Sequence, residues 1–130
     1  MIPLNERIWT LDTNNFENRI DDQELQSLAK VLLQRLTTRK EAKSITDHLQ
    51  VLKDKMQDDI VHFCYDKKAG EHRSAFGTRA PDLISRYGGN PKGDGRENDY
   101  RTFVYFDLVR KAWRSFRPEN FLSIDDNYEL

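Results

Sequence analysis

The sequence predicts an α+β fold, an N-terminal helical hairpin followed by a small β-barrel. Three observations carry that expectation. Between residues 21 and 58 the apolar side chains recur at spacings of three and four, the period of amphipathic helices. From Ile60 onward the period shortens to two and the apolar runs become brief, as strands require. The run Thr102–Pro118 then reads as two strands joined by a tight turn and ending in a basic, aromatic ribbon. In its first strand Phe103, Tyr105 and Asp107 alternate with Thr102, Val104 and Phe106, so bulk lies on both faces. Such a strand suits a small closed barrel, one face filling the interior and the other meeting a covering element or a partner.

Residues 1–20 lack a regular pattern and are read as an arm anchored by Ile8, Trp9 and Phe16. Residues 21–58 form the helical hairpin. Asp21, three residues before Glu24, is the expected first N-cap, and Leu25, Leu28, Ala29, Leu32 and Leu36 follow on one face. Thr38 and Glu41 open the second helix, whose seam is Ala42, Ile45, Leu49, Leu52 and Met56. The barrel spans residues 59–124. It begins with a strand over Ile60–Tyr65, a turn containing Gly70, and a returning strand over His72–Thr78. A short helix is expected over Ala80–Tyr87, with Pro81 early and Gly88 ending it. The glycine-rich stretch Gly88–Asp99 reads as a long exposed loop. After the two strands of the ribbon, Phe121–Ile124 is the last strand, and residues 125–130 are an acidic tail.

Within this half, Phe63-x-Tyr65-x-Lys67, Arg73-x-Ala75-x-Gly77-Thr78, Tyr105-Phe106-Asp107-Leu108 and Trp113-Arg114-Ser115-Phe116 occur together. The combination resembles the small bacterial "SH3 beta-barrel fold-containing" proteins grouped with a WYL-related SH3-like family. The resemblance covers Ile60 to Ile124 and not the helical hairpin. It implies an SH3-like barrel, a bacterial setting that includes mobile elements, and a role in sensing or nucleic-acid association.

The chain has 130 residues, one domain's worth, with 33% charged and 11% aromatic side chains and a mean hydropathy of -0.84. That composition, with strongly patterned apolar residues, describes a soluble globular protein. No basic N-terminal region precedes an apolar stretch and no segment has the length of a membrane span, so a cytoplasmic location with no membrane partner is expected. The net charge of -1 conceals an asymmetry. Residues 66–118 hold twelve Lys/Arg against seven Asp/Glu, leaving nine against fifteen elsewhere. The basic half is the half with the aromatic strands, a pointer to an anionic partner.

Catalytic chemistry finds no motif. There is no Gly-x-Ser-x-Gly elbow, no serine with an identifiable His/Asp pair, and no Walker pattern in the glycine-rich loop. Cys64, between Phe63 and Tyr65, reads as a buried strand thiol. His62 and His72 fall on the two strands of one hairpin with Cys64 as the sole soft neighbour, too few ligands for a zinc site. No cofactor or metal is expected. The expectation is therefore a non-enzymatic intracellular binding module, a nucleic-acid-associated or regulatory accessory protein of a bacterial mobile element. Arg79, Lys92, Arg96, Arg110, Lys111, Trp113, Arg114 and Arg117 are its expected contacts to nucleic acid or an anionic protein. The alternative is a protein-interaction or homo-oligomerisation module, such as a homodimer, in which the seam Ile45, Leu49, Leu52 and Met56 docks on a second copy or another protein.

Overall fold

The computed structural model describes residues 14–36, 38–96 and 99–125. A 3₁₀ turn over Phe16–Arg19 leads into helix α1 (Gln23–Arg35) and helix α2 (Arg39–Met56). The first N-cap is Asp22, not Asp21; its carboxylate accepts from the Leu25 N–H at 3.1 Å. The frame moves by one residue because the Glu24 side chain turns away from the cap to Arg79. Thr38 caps α2 as its sequence implies, accepting from Glu41 N–H at 3.1 Å. Residues 1–13 and 126–130, with the anchors Ile8 and Trp9 and most of the acidic tail, lie outside the described residues.

Five antiparallel strands follow: β1 (Val61–Asp66), β2 (His72–Thr78), β3 (Phe103–Asp107), β4 (Ala112–Phe116) and β5 (Phe121–Ile124). A short helix α3 (Pro81–Arg86) separates β2 from β3. The sheet order is β4-β3-β2-β1-β5. The expected closed barrel is thus an open one, since β4 and β5 are the two ends of the order. The 3₁₀ turn Pro118–Asn120 carries the chain from β4 to the far edge, where β5 pairs with β1.

Both faces of the sheet are covered. The inner face, with Phe63, Tyr65, Phe103, Tyr105, Phe116 and Phe121, packs in a single core cluster with Leu25, Leu28 and Leu32 of α1 and Leu49, Leu52 and Met56 of α2. The boundary at residue 58 therefore separates elements and not cores. Each fully buried leucine contributes about 2 kcal/mol by transfer from water. On the outer face Phe106 and Leu108 pack beneath Ile84 of α3, with Trp113 and Phe76 beside them. Two glycines permit these close approaches. A Cβ on Gly77 would lie 2.7 Å from the Tyr105 ring and 2.9 Å from Phe63, and one on Gly89 would lie 2.4 Å from Phe106.

The seam expected to dock a partner is consumed here. Leu49, Leu52 and Met56 have no exposed surface, and Ile45 packs against the same cluster. Because a lone helical hairpin has an uncovered apolar face, the nearest sheet fills it before any second copy can.

The joint between hairpin and sheet is polar. Arg79 follows β2, and its guanidinium donates to both Glu24 oxygens at 2.8 and 2.7 Å. Its Nε donates to the Val104 carbonyl at 2.9 Å, and the group lies over the Phe103 ring, 4.1 Å from the centroid. Lys53 approaches the same Glu24 at 3.0 Å and also pairs with Asp22. Burial opposes ionisation of Glu24, but the hydrogen bonds and charge of Arg79, reinforced by Lys53, outweigh it and hold the carboxyl below its ordinary 4.5. Lys53 is half-buried, and the burial alone would lower its pKa, yet Asp22 and Glu24 raise it. Arg79, expected at a binding surface, is therefore a structural cation.

Three outcomes follow from this architecture. Leu49→Asp places a carboxylate in the shared core and should cost more than about 4 kcal/mol, with helical and sheet signals lost together in urea; loss of the helical signal alone would divide the core. Arg79→Met leaves Glu24 buried without its main partner and should destabilise by about 3–5 kcal/mol. The depressed Glu24 pKa makes its contribution whole above pH 4.5 and lost as pH falls through the folded-state value. The stability gap between wild type and Glu24→Gln in urea titrations should accordingly shrink as pH falls from 4.5 through that value; a gap constant with pH would contradict it.

Candidate functional site

Strand β4 is an edge strand, and a groove of about 730 Å³ follows it from Ala112 to Arg117. The opposite wall is the tip of the β1–β2 hairpin, from Tyr65 to Lys68 with Arg73, and Asn120 of the β4–β5 connection closes one end. The groove thus lies where the barrel stays open. Its position follows from the strand pattern: Phe116 points inward and stacks on Tyr65 at 4.7 Å, which draws β4 toward the end of β1. The flanking side chains are left to line the cleft.

Six cations line it, Lys67, Lys68, Arg73, Arg96, Arg114 and Arg117, against the single carboxylate of Asp66. Several have partial partners. Lys67 lies 3.7 Å from Glu71, Arg96 pairs with Asp94, and Arg114 Nε is 3.8 Å from Asp107. Lys68, Arg73 and Arg117 make no salt bridge among the described residues. Tyr65 and Tyr105 share a buried hydrogen bond of 2.7 Å behind the groove. Burial, with the Tyr65 hydroxyl beside it, pushes the Tyr105 hydroxyl far up, so it adds no negative charge. Excess fixed cations along a cleft favour an extended polyanion.

A second cavity of about 280 Å³ shares Arg96, Thr102, Trp113, Arg114 and Ser115 with the groove and is walled on its other side by the glycine-rich loop. That loop is anchored, for the Trp113 indole N–H donates to the Asn90 carbonyl at 2.9 Å. Trp113 is half-buried, edge-on to Phe106 at 5.9 Å, and stands between the two cavities.

The residues expected at the site divide accordingly. Arg96, Trp113, Arg114 and Arg117 line the groove, and Lys92 lines the smaller cavity. Arg110 and Lys111 do not line either one; they occupy the exposed β3–β4 turn, where the buried Asp107 carboxylate accepts from the Val109 and Arg110 amides at 3.0 Å. Arg79 is half-buried at the joint between hairpin and sheet, paired with Glu24. Lys67, Lys68 and Arg73 are the groove cations that sequence reading missed. Lys67 and Lys68 look like ordinary turn residues, and only the tertiary meeting of the two hairpins makes them neighbours of β4.

On the other side of β1, His62 bonds the Ser74 hydroxyl through Nε2 and lies 3.2 Å from Asp125 through Nδ1. This Ser-His-Asp order was not apparent from the sequence, because its members come from β1, β2 and the residue after β5. Ser74 sits in the β1–β2 ladder opposite Cys64. The array clasps the end of β5 to the hairpin. Cys64 shares this outer face and is half-buried, since Phe63 and Tyr65 take the interior positions. His62 and His72 are apart, opposite Phe76 and Asp66 respectively.

A family model described as WYL_2, Sm-like SH3 beta-barrel fold, matches residues 49–122, more than half of the chain. No curated protein and no solved structure matches.

Proposed function

The chain belongs to the WYL_2 family, Sm-like SH3 beta-barrel fold, and from that footing we propose that it is a non-enzymatic module that binds single-stranded nucleic acid along β4. One observation carries the reading: six cations and one carboxylate line a continuous groove at the open edge of the barrel. Phosphates would engage these cations, and an unstacked base would reach the Trp113 ring that borders the groove. A duplex keeps its bases stacked inside, which is why the single strand is the better occupant. A bacterial mobile element, the setting implied by the resemblance, suits such a partner. Among the described residues no helix is long and apolar enough to cross a membrane.

The hairpin alternative receives less support, because its seam is buried in the chain's own core. An acidic protein segment is the remaining competitor for the groove, and salt alone does not separate it from nucleic acid. Direct titration does.

Binding of short fluorescent DNA and RNA single strands should weaken steeply as salt rises, since neutralised phosphates release counterions. Replacing Arg73 and Arg117 together with glutamine should lower the log–log salt slope by about two with unchanged thermal melting. The double variant Arg110→Gln/Lys111→Gln, outside the groove, should alter the slope less. No binding at low salt, or equal sensitivity to the two double variants, would refute the groove.

A further inference from the structure

We infer that the smaller cavity beside Trp113 is a pocket for one unstacked guanine base of the strand held in the groove, read by Asp99 and Lys92. The inference rests on the nucleic-acid reading above and adds a sequence preference to it. At about 280 Å³ the cavity is suited to a single base, being smaller than the ~300–1,000 Å³ of pockets for larger ligands. Its walls are right for a base. Trp113, Pro91 and Val104 supply ring and aliphatic surface, against which a base face is sheltered from water. The cavity also shares Trp113 and Arg114 with the groove, so a base entering it leaves its phosphate among the groove cations.

The polar groups select among bases. Asp94 is already committed to Arg96, accepting from its backbone N–H at 3.0 Å and from its Nε at 2.6 Å. Asp99 is not so engaged: one oxygen accepts from the Arg101 N–H at 3.0 Å, and it has no salt bridge among the described residues. A carboxylate offers only acceptors. Guanine presents two adjacent donors, N1–H and the N2 amino group, that one carboxylate can receive together, whereas adenine, cytosine and thymine each present a single donor position on that edge. Lys92 likewise has no salt bridge among the described residues, and it supplies a donor for guanine O6 or N7. A pocket holding one carboxylate and one ammonium, neither in a salt bridge among the described residues, therefore matches guanine better than any other base.

The test compares an oligothymidylate with the same strand carrying one central guanine, in DNA and in the matching uridylate RNA, by fluorescence anisotropy at low salt. Guanine should tighten binding about tenfold, the scale of one bidentate base contact. Asp99→Asn keeps an oxygen for the Arg101 N–H but loses the second acceptor, and it should bring the two strands to equal affinity while plain oligothymidylate binds at least as well as before. Equal affinity in the wild type, or a guanine preference that survives Asp99→Asn, would overturn the pocket while leaving the groove intact. Failure of both strands to bind would overturn the groove and the pocket with it.

Discussion

The bidentate contact between Arg79 and Glu24 is the constraint on which the arrangement of helices and strands depends. Arg79 meets three elements at once. Its backbone N–H donates to the Met56 carbonyl at the end of α2, its guanidinium grips α1 through Glu24, its Nε reaches β3 at Val104, and its charge rests on Phe103. Thr78, the preceding residue, adds a hydroxyl bond to the Asp59 carbonyl at 2.8 Å. A pair this buried contributes little net energy over an apolar substitute, because desolvation offsets attraction. What it supplies is register. Greasy contacts between hairpin and sheet tolerate sliding, whereas two parallel hydrogen bonds to one carboxylate do not.

Fixing the hairpin against the inner face has a consequence on the far side of the sheet. With the helices on one flank and α3 on the outer face, the edge of β4 is left beside the groove. An edge strand is a hazard because its free backbone groups invite other strands. Here the margin is bordered by Lys67, Lys68, Arg73, Arg114 and Arg117, charges that discourage strand addition and at the same time attract polyanions. Protection against aggregation and the nucleic-acid affinity proposed above would share one physical cause, and the shape of the groove suits a ligand that follows β4 along its length.

Much of the fold was legible because local periodicity and capping are local facts. The strand bounds at His72–Thr78 and Phe121–Ile124, the cap at Thr38 and the short helix after Pro81 all follow from neighbours within a few residues. Closure is not legible in this way, since whether β4 meets β5 depends on the path of Arg117–Asn120 and not on either strand's composition. The site was only half legible for the same reason. Arg114 and Trp113 announce themselves in an aromatic ribbon, while Lys67, Lys68 and Arg73 belong to a different hairpin that no spacing connects to it. Arg79 misled in the opposite direction: an arginine after a strand reads as a surface cation until its partner, 55 positions away in α1, is known.

A nuclear magnetic resonance titration of the ¹⁵N-labelled chain with a short single-stranded oligonucleotide tests the central claim most directly. The account predicts that the Trp113 indole N–H and the amides of Lys67, Lys68, Arg73 and Ser115 shift together and saturate with one affinity, while the amides of α2 remain in place. Perturbations confined to the helices, to the Val109–Lys111 turn, or absent altogether would contradict it.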